Sequence, residues 1–220
     1  MENLLKQVKT DVETFLNQMC IESQKKQKPL FYNECHLQME LASYLRQSNN
    51  YCKVHLEYFV PSAEVQEQNL YIDIVVEKKG EFLPIELKYK TALLKKNIDR
   101  FGKDLQGVYV LKNHGARDLG AYDFWRDVKR IECLVKRFCN VKNGIALFLT
   151  NDLGYWTLPK AGTNPNYANF SMKDGEHSPN KTWKGNTAMS ASRPSFDVDK
   201  KYKLEWKDYD LPFRYCLLEI

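Results

Sequence analysis

The sequence predicts an α/β domain in which helices flank a mixed central sheet and a loop-rich C-terminal extension ends in strands. Apolar residues recur at helical spacing in residues 4–20 and 33–47. Three short runs rich in β-branched and aromatic residues follow between residues 54 and 88. Strands so close in sequence favour antiparallel pairing, and the helices before and after them indicate an α/β arrangement.

Local signals give the boundaries of the elements. Asn33 is a good N-cap for the second helix, whose apolar stripe contains Leu37 and Leu41. A Lys79-Gly80 turn separates the second strand from the third. The predicted helices are residues 4–20, 33–47, 94–111 and 122–138, and the predicted strands are residues 54–60, 71–77, 82–88 and 145–149.

The chain is predicted to form one domain. Its parts are an N-terminal helix and linker in residues 1–30, a core in residues 31–152, and an irregular excursion with closing strands in residues 153–220. Within the excursion, residues 154–199 are rich in Gly, Asn, Ser, Thr and Pro, as in a long loop that is functional or partly disordered. Its aromatic residues are candidates either for base stacking or for pinning the loop onto the core: Trp156, Tyr167, Phe170 and Trp183. Residues 202–206 and 213–220 are expected to return to the sheet as strands.

Composition excludes several protein classes. No apolar run approaches the roughly 18 residues of a membrane span, and the N-terminus lacks a signal-peptide pattern, which indicates a cytoplasmic protein without a membrane partner. The six cysteines contain no CxxC pair, so a zinc or iron–sulfur site is not expected. The net charge of +5 is compatible with an anionic partner and equally with a solvated basic face.

The second and third strands place three charged residues together. If Lys79 and Gly80 are the central residues of a hairpin turn, Asp73 lies opposite Glu86. Side chains alternate along a strand, so Glu86 and Lys88 project from the same face as Asp73. Pro84 cannot donate to the ladder, and a bulge there would shift this register.

Two carboxylates and an ammonium group are the residue types that phosphodiester hydrolysis needs. Asp73 and Glu86 would hold Mg²⁺, with Mn²⁺ as a substitute, because a shared cation removes the repulsion between them. Lys88 would orient the attacking water or neutralise developing negative charge. The alternative is a cross-strand salt bridge on a solvated sheet face, but the apolar flanks of these charges disfavour it.

A helix followed by Tyr71-Ile72-Asp73, then Pro84-Ile85-Glu86-Leu87-Lys88, then a helix and a strand, resembles the PD-(D/E)XK superfamily of restriction-endonuclease-like proteins. The resemblance covers residues 31–152 and implies an αβββαβ core and a magnesium-dependent nuclease, with nucleic acid, and DNA in particular, as partner. Ile72 stands where the family has a proline, which leaves the aspartate in place.

The resemblance also implies a glutamate from the helix before the sheet. Glu34 shares the inward stripe of that helix, whereas Glu40 lies at the margin of the stripe and Glu57 comes from the first strand. We therefore expect Glu34 to join Asp73, Glu86 and Lys88 as a catalytic residue.

Basic residues after the motif are candidates for phosphate contacts, although a solvated helix face is the commoner explanation. They are Lys90, Lys95, Lys96, Arg100, Arg126, Lys129 and Arg130. A non-catalytic nucleic-acid-binding protein and a structural or regulatory protein remain the alternative functions. Enzymes that cut both strands are commonly dimers, and nothing in the sequence encodes one.

Overall fold

The structure is a computed structural model. It describes residues 3–26, 31–62, 69–157, 165–185 and 191–220. The helices are α1 (Leu4–Lys26), α2 (Glu34–Gln47) and α3 (Arg117–Arg137). The strands are β1 (Lys53–Val60), β2 (Leu70–Lys78), β3 (Glu81–Lys90), β4 (Leu94–Arg100), β5 (Lys103–Leu111), β6 (Ile145–Thr150), β7 (Gly175–His177), β8 (Asn180–Lys181), β9 (Phe196–Asp197), β10 (Tyr202–Leu204), β11 (Trp206–Asp208) and β12 (Arg214–Glu219).

A six-stranded sheet forms the centre of the molecule, in the order β1-β2-β3-β6-β12-β11. β3 and β6 are parallel, and the other neighbours are antiparallel. One hydrophobic cluster joins α1 and α2 to the sheet, and a second joins α3 and the C-terminal extension to it. The expected α/β class and mixed sheet are confirmed.

The hairpin of β2 and β3 has the predicted register. Its pairs are symmetric about the Lys79-Gly80 turn, from Lys78↔Glu81 to Ile74↔Ile85. Both turn residues have left-handed backbone conformations, with φ of 53° and 82°, which suits the tight turn of a two-residue hairpin. Pro84 pairs with Val75 without shifting the register. The bulge that a proline can cause is absent from this ladder.

Residues 94–111 are not a helix, and this prediction is wrong. They form an antiparallel hairpin of β4 and β5, closed by Phe101 and Gly102 in left-handed conformations. The apolar spacing suggested a helix, but Gly102 and Gly107 both disfavour one, and the Asn97 side chain accepts a hydrogen bond from Gly107 N at 2.8 Å. Val108, Tyr109 and Val110 then favour a strand.

The excursion packs against the outer face of α3. Phe170 and Trp183 are buried there, and Trp125 of α3 donates from Nε1 to Phe170 O at 3.1 Å. Lys181 is fully buried, with Nζ 3.4 Å from the centroid of the Trp125 ring. For Phe170 and Trp183 the structure therefore favours pinning of the loop over base stacking. Residues 158–164 and 186–190 of the excursion, and residues 27–30 of the predicted linker, lie outside the described residues.

The closing strands are partly as expected. β12 and β11 join the central sheet, but β10 pairs with β7 outside it, so residues 202–206 are not one strand of that sheet.

All six cysteines are free thiols. None of the described helices is both long and apolar enough to span a membrane.

Candidate active site

Asp73 lies where β2 and β3 separate. The last ladder pair is Ile74↔Ile85, so Asp73 and Glu86 are the next residues on the two strands. Asp73 Oδ2 accepts a hydrogen bond from Leu87 N at 2.6 Å, which takes the place of a further strand–strand bond. From α2, Gln38 Nε2 donates to Asp73 O at 2.8 Å and to Glu57 Oε1 at 2.6 Å. β3 therefore holds the Asp73 carboxyl group, and α2 holds its backbone carbonyl.

Glu86 is a buried carboxylate with an unsatisfied oxygen. Glu86 is only 3% exposed, and its Oε1 has no hydrogen-bond partner among the described residues. Burial raises the pKa of Glu86 well above its ordinary value, and the charges of Asp127 and Asp73 raise it further. A buried oxygen without a partner costs free energy, and such groups often mark sites that another ligand completes.

Lys88 is held by an aspartate of α3. Its Nζ lies 2.7 Å from Asp127 Oδ2, and Arg130 Nη1 donates to Asp127 Oδ1 at 2.9 Å. Burial opposes the charge of Lys88, but the carboxylates of Asp127, Glu34 and Glu86 together raise its pKa above the ordinary value. Lys88 therefore stays protonated at neutral pH and acts as a cation and hydrogen-bond donor.

Asp127 is a site residue that sequence reasoning missed. It is only 2% exposed and shares the inward face of α3 with Phe124 and Ile131. These three residues have the helical spacing of one apolar stripe. A carboxylate inside such a stripe is costly unless it is paired. That conflict was visible in the sequence and could have identified Asp127.

Glu34 reaches the site from the start of α2, as the sequence predicts. Asn33 caps this helix by accepting a hydrogen bond from His36 N at 2.8 Å. Glu34 Oε2 accepts from Tyr89 N at 2.6 Å, one residue beyond Lys88. Glu40 instead pairs with His36, Nε2 to Oε1 at 3.5 Å. The structure thus brings Glu34, Asp73, Glu86 and Lys88 together and leaves Glu40 outside.

Glu34 and Lys88 line an open cavity of about 360 Å³, together with several basic side chains. Its lining includes Glu34, Lys88, Lys90, Arg126, Asp127 and Arg130. Of the predicted phosphate contacts, Lys90, Arg126 and Arg130 line this cavity, whereas Lys95, Lys96 and Arg100 are on the β4–β5 hairpin. A larger cavity of about 590 Å³ lies at the β2–β3 turn, but Glu81 is the one carboxylate among its lining residues. Of these two cavities, the smaller is therefore the one lined by the candidate site residues Glu34, Lys88 and Asp127.

The charges of the site leave room for a divalent cation. Four carboxylates, Glu34, Asp73, Glu86 and Asp127, face the two cations Lys88 and Arg130. Within the described part of the chain, no three His, Cys, Asp or Glu side chains form a metal-binding group. Mg²⁺, however, is commonly held by one or two carboxylates and several waters. The unpartnered Glu86 oxygen beside Asp73 fits that mode of binding.

Asp73 gives the metal-free protein a distinctive pH dependence. Burial raises the pKa of Asp73 from 3.8 to about 6, against the opposing charge of Lys88 and the Leu87 N–H. Between about pH 4 and about pH 6 the Asp73 carboxyl group is protonated in the folded state and ionised in the unfolded state. The free energy of unfolding therefore falls as pH rises through this range. A shift of this size is worth about 3 kcal/mol.

This dependence is measured by urea unfolding in EDTA at several pH values between 4 and 7.5. The difference in the free energy of unfolding between Asp73→Asn and the parent should grow by about 3 kcal/mol across that range, in favour of the variant. Glu205→Gln alters an exposed carboxylate paired with Lys203 and serves as the control. A constant difference between Asp73→Asn and the parent would show that Asp73 is not protonated in this range.

Comparison with known proteins gives no match: no family model, curated protein or solved structure matches this chain.

Proposed function

We propose that the protein is a metal-dependent nuclease that hydrolyses phosphodiester bonds, with DNA as the expected substrate. One observation carries the proposal: the buried Oε1 of Glu86 has no hydrogen-bond partner among the described residues, and this carboxyl group lies beside Asp73 and next to a lysine held in its charged form. Structural ion pairs satisfy their charges, whereas this cluster has an excess of carboxylates that a metal ion and a phosphate-bearing substrate would balance together.

The fold supports the same proposal. α2, β1, β2, β3, α3 and β6 follow one another as the αβββαβ core of PD-(D/E)XK nucleases would, with the β4–β5 hairpin inserted before α3. We therefore propose that residues 31–152 form a core of this type. The insertion and the C-terminal extension are additions to it.

Each residue then has a role. Asp73 and Glu86 would hold Mg²⁺ or Mn²⁺, and the bound ion would supply an activated water and a counter-charge for the phosphate. Lys88, kept protonated, would donate to a phosphate oxygen or orient the water, because a group with a raised pKa is a poor base. Glu34 fixes the β3 backbone at Tyr89 and lines the 360 Å³ cavity that Lys88 also lines. Arg126, Arg130 and Lys90 would offset the charge of the nucleic-acid backbone there.

A nucleic-acid-binding protein without turnover is the second candidate. It is favoured by the contact of Lys88 Nζ with Asp127 at 2.7 Å, since that ammonium must share its hydrogens between Asp127 and the substrate.

The test measures cleavage and metal binding separately. Single-stranded and duplex oligonucleotides of DNA and RNA are incubated with Mg²⁺, Mn²⁺ or EDTA, and melting temperature is recorded in the same buffers. We expect cleavage only with metal, and a melting temperature that rises with metal in the parent because the ion binds the folded state.

Asp73→Asn should lose the cleavage and most of that rise, whereas Glu205→Gln should keep both. Binding without cleavage would establish the second candidate. Equal metal-induced shifts in the parent and Asp73→Asn would contradict the metal site.

A further inference from the structure

The β4–β5 hairpin ends in an exposed aromatic ring. Phe101 and Gly102 are its turn residues, with left-handed φ values of 55° and 74°. Phe101 has a relative exposure of 106%, so its ring gains no packing from the fold. A fully exposed phenylalanine at a hairpin tip is unusual in a domain whose excursion buries Phe170 and Trp183.

The turn itself does not explain the phenylalanine. A tight hairpin turn with both residues at positive φ favours Asn or Asp before Gly, because their short polar side chains tolerate this conformation. A phenylalanine there adds backbone strain, and its ring remains in water. Folding would be served as well or better by asparagine at this position. A role outside folding therefore accounts for Phe101.

The tip is held in a defined place. At its base, Leu111 is buried, Thr91 N donates to His114 Nδ1 at 2.9 Å, and Ala92 N donates to Asn151 Oδ1 at 2.8 Å. Next to the tip, the Arg100 guanidinium lies 4.9 Å from the centroid of the Tyr32 ring and also donates to the Tyr32 hydroxyl.

Tyr32 immediately precedes Asn33, the cap of α2, and Glu34 is the first residue of that helix. Arg100 thus links the hairpin to the helix end that supplies Glu34 to the active site. Phe101 follows Arg100 directly in the chain, so its exposed ring is one residue away from the contact that ties the hairpin to the start of α2, where Glu34 lines the cavity.

The charge of the hairpin suits an anionic partner. Four basic residues belong to β4 and β5, Lys95, Lys96, Arg100 and Lys103, against the two carboxylates of Asp99 and Asp104. Both carboxylates already accept hydrogen bonds inside the hairpin, from Gly102 N at 3.3 Å and from Gln106 Nε2 at 2.6 Å. Alternating aromatic and basic groups are the pattern with which proteins bind single-stranded nucleic acid.

We infer that Phe101 stacks on an unpaired base of a nucleic-acid strand whose backbone enters the active site. This inference rests on the proposed function and names its substrate class: a strand with unpaired bases, single-stranded or next to a duplex junction. The bases of an intact duplex are already stacked on one another, whereas an unpaired base offers a free face to an aromatic ring. Phe101 would hold such a strand while the basic side chains contact its phosphates.

The test is equilibrium binding in EDTA, where cleavage does not occur. A single-stranded oligonucleotide containing 2-aminopurine, in DNA and RNA versions, is compared with the matching blunt duplex and with anionic phospholipid vesicles. We expect the parent to bind the single strand more tightly than the duplex and to quench 2-aminopurine. Phe101→Asn should weaken single-strand binding about 10-fold and abolish the quenching, with no loss of melting temperature.

Two further variants separate stacking from other effects. Phe101→Trp should retain binding and quenching, whereas Phe101→Leu, which stays apolar but has no ring, should behave as Phe101→Asn does. Ile21→Asn removes an exposed apolar side chain from α1 and should change nothing.

Single-strand binding that is the same in Phe101→Asn and the parent would overturn the inference, as would equal binding of duplex or binding of vesicles that depends on Phe101. The two proposals fail separately. Phe101-dependent binding without metal-dependent cleavage would refute the nuclease and keep only the stacking of Phe101 on an unpaired base. Metal-dependent cleavage with single-strand binding that is indifferent to Phe101 would keep the nuclease and refute the stacking.

Discussion

Lys88→Met should lower the turnover of metal-dependent cleavage by about 10³-fold while nucleic-acid affinity stays almost unchanged. Lys88 keeps its charge inside a largely buried cluster, because Asp127, Glu34 and Glu86 raise its pKa. A cation fixed in this way stabilises the charge that develops in the transition state more than the charge already present in the bound substrate. Its loss therefore appears in turnover rather than in binding.

The same substitution should lower the free energy of unfolding by about 3 kcal/mol, the low end of the range for a broken buried ion pair, because Arg130 still contacts Asp127. Activity must accordingly be measured well below the melting temperature of the variant. The double variant Lys88→Met/Asp127→Asn should recover part of the stability but none of the turnover, since it removes the buried carboxylate charge left without Lys88.

Lys142→Met replaces an exposed lysine at the opposite end of the sheet and is the matched control. It should leave both turnover and stability unchanged. If Lys88→Met lowers affinity and turnover by similar factors, Lys88 is a phosphate contact and has no special role in the transition state.

Glu34→Gln should reduce cleavage by about 100-fold while Glu40→Gln has no effect. Both residues are in α2, but Glu34 Oε2 accepts from Tyr89 N and faces the cavity, whereas Glu40 pairs with His36. Glutamine can still accept the Tyr89 hydrogen bond, so folding should be nearly intact. What is lost is a negative charge beside Asp73 and Lys88.

Turnover, the metal-induced rise in melting temperature and the unfolding free energy of the two variants decide the outcome. A loss of activity confined to Glu40→Gln would mean that the face of α2 that carries Glu40, and not the face that carries Glu34, contributes to cleavage. If Glu34→Gln loses stability and activity in proportion, Glu34 acts only as an anchor for the β3 backbone.

Local signals predicted the elements that position these residues. The Asn33 cap and the stripe of Leu37 and Leu41 gave the bounds of α2, and the Lys79-Gly80 turn gave the register of β2 and β3. Each of these depends on a few adjacent residues and on one strong stereochemical preference. That Glu34 lies on the face of α2 directed at the sheet followed from the apolar stripe of that helix, and its contact with Tyr89 N was found only in the structure.

Two features were beyond that kind of reasoning. Residues 94–111 have apolar spacing compatible with a helix. The hairpin is preferred because Gly102 suits its turn, Gly107 adopts a positive φ within β5 where the register shifts, and Leu111 packs into the core at its base. The pairing of Lys88 with Asp127 joins residues that are far apart in sequence and on different elements. Its prediction requires knowing which face of α3 meets the sheet, which the packing of the excursion also determines.

The place of β12 has a consequence for how the protein can be divided. β6 is buried throughout because hydrophobic clusters cover both of its faces, while β3 pairs with one of its edges and β12 with the other. Cys216 and Leu218 of β12 belong to the same cluster as Phe148 and the apolar residues of α3. A fragment ending at residue 152 would keep every proposed catalytic side chain. It would also expose the backbone edge of β6 and the apolar underside of α3, a template for intermolecular strand pairing. The segment that carries the proposed catalytic residues is thus smaller than the unit that we expect to fold, and fusion partners are best attached outside residues 1–220.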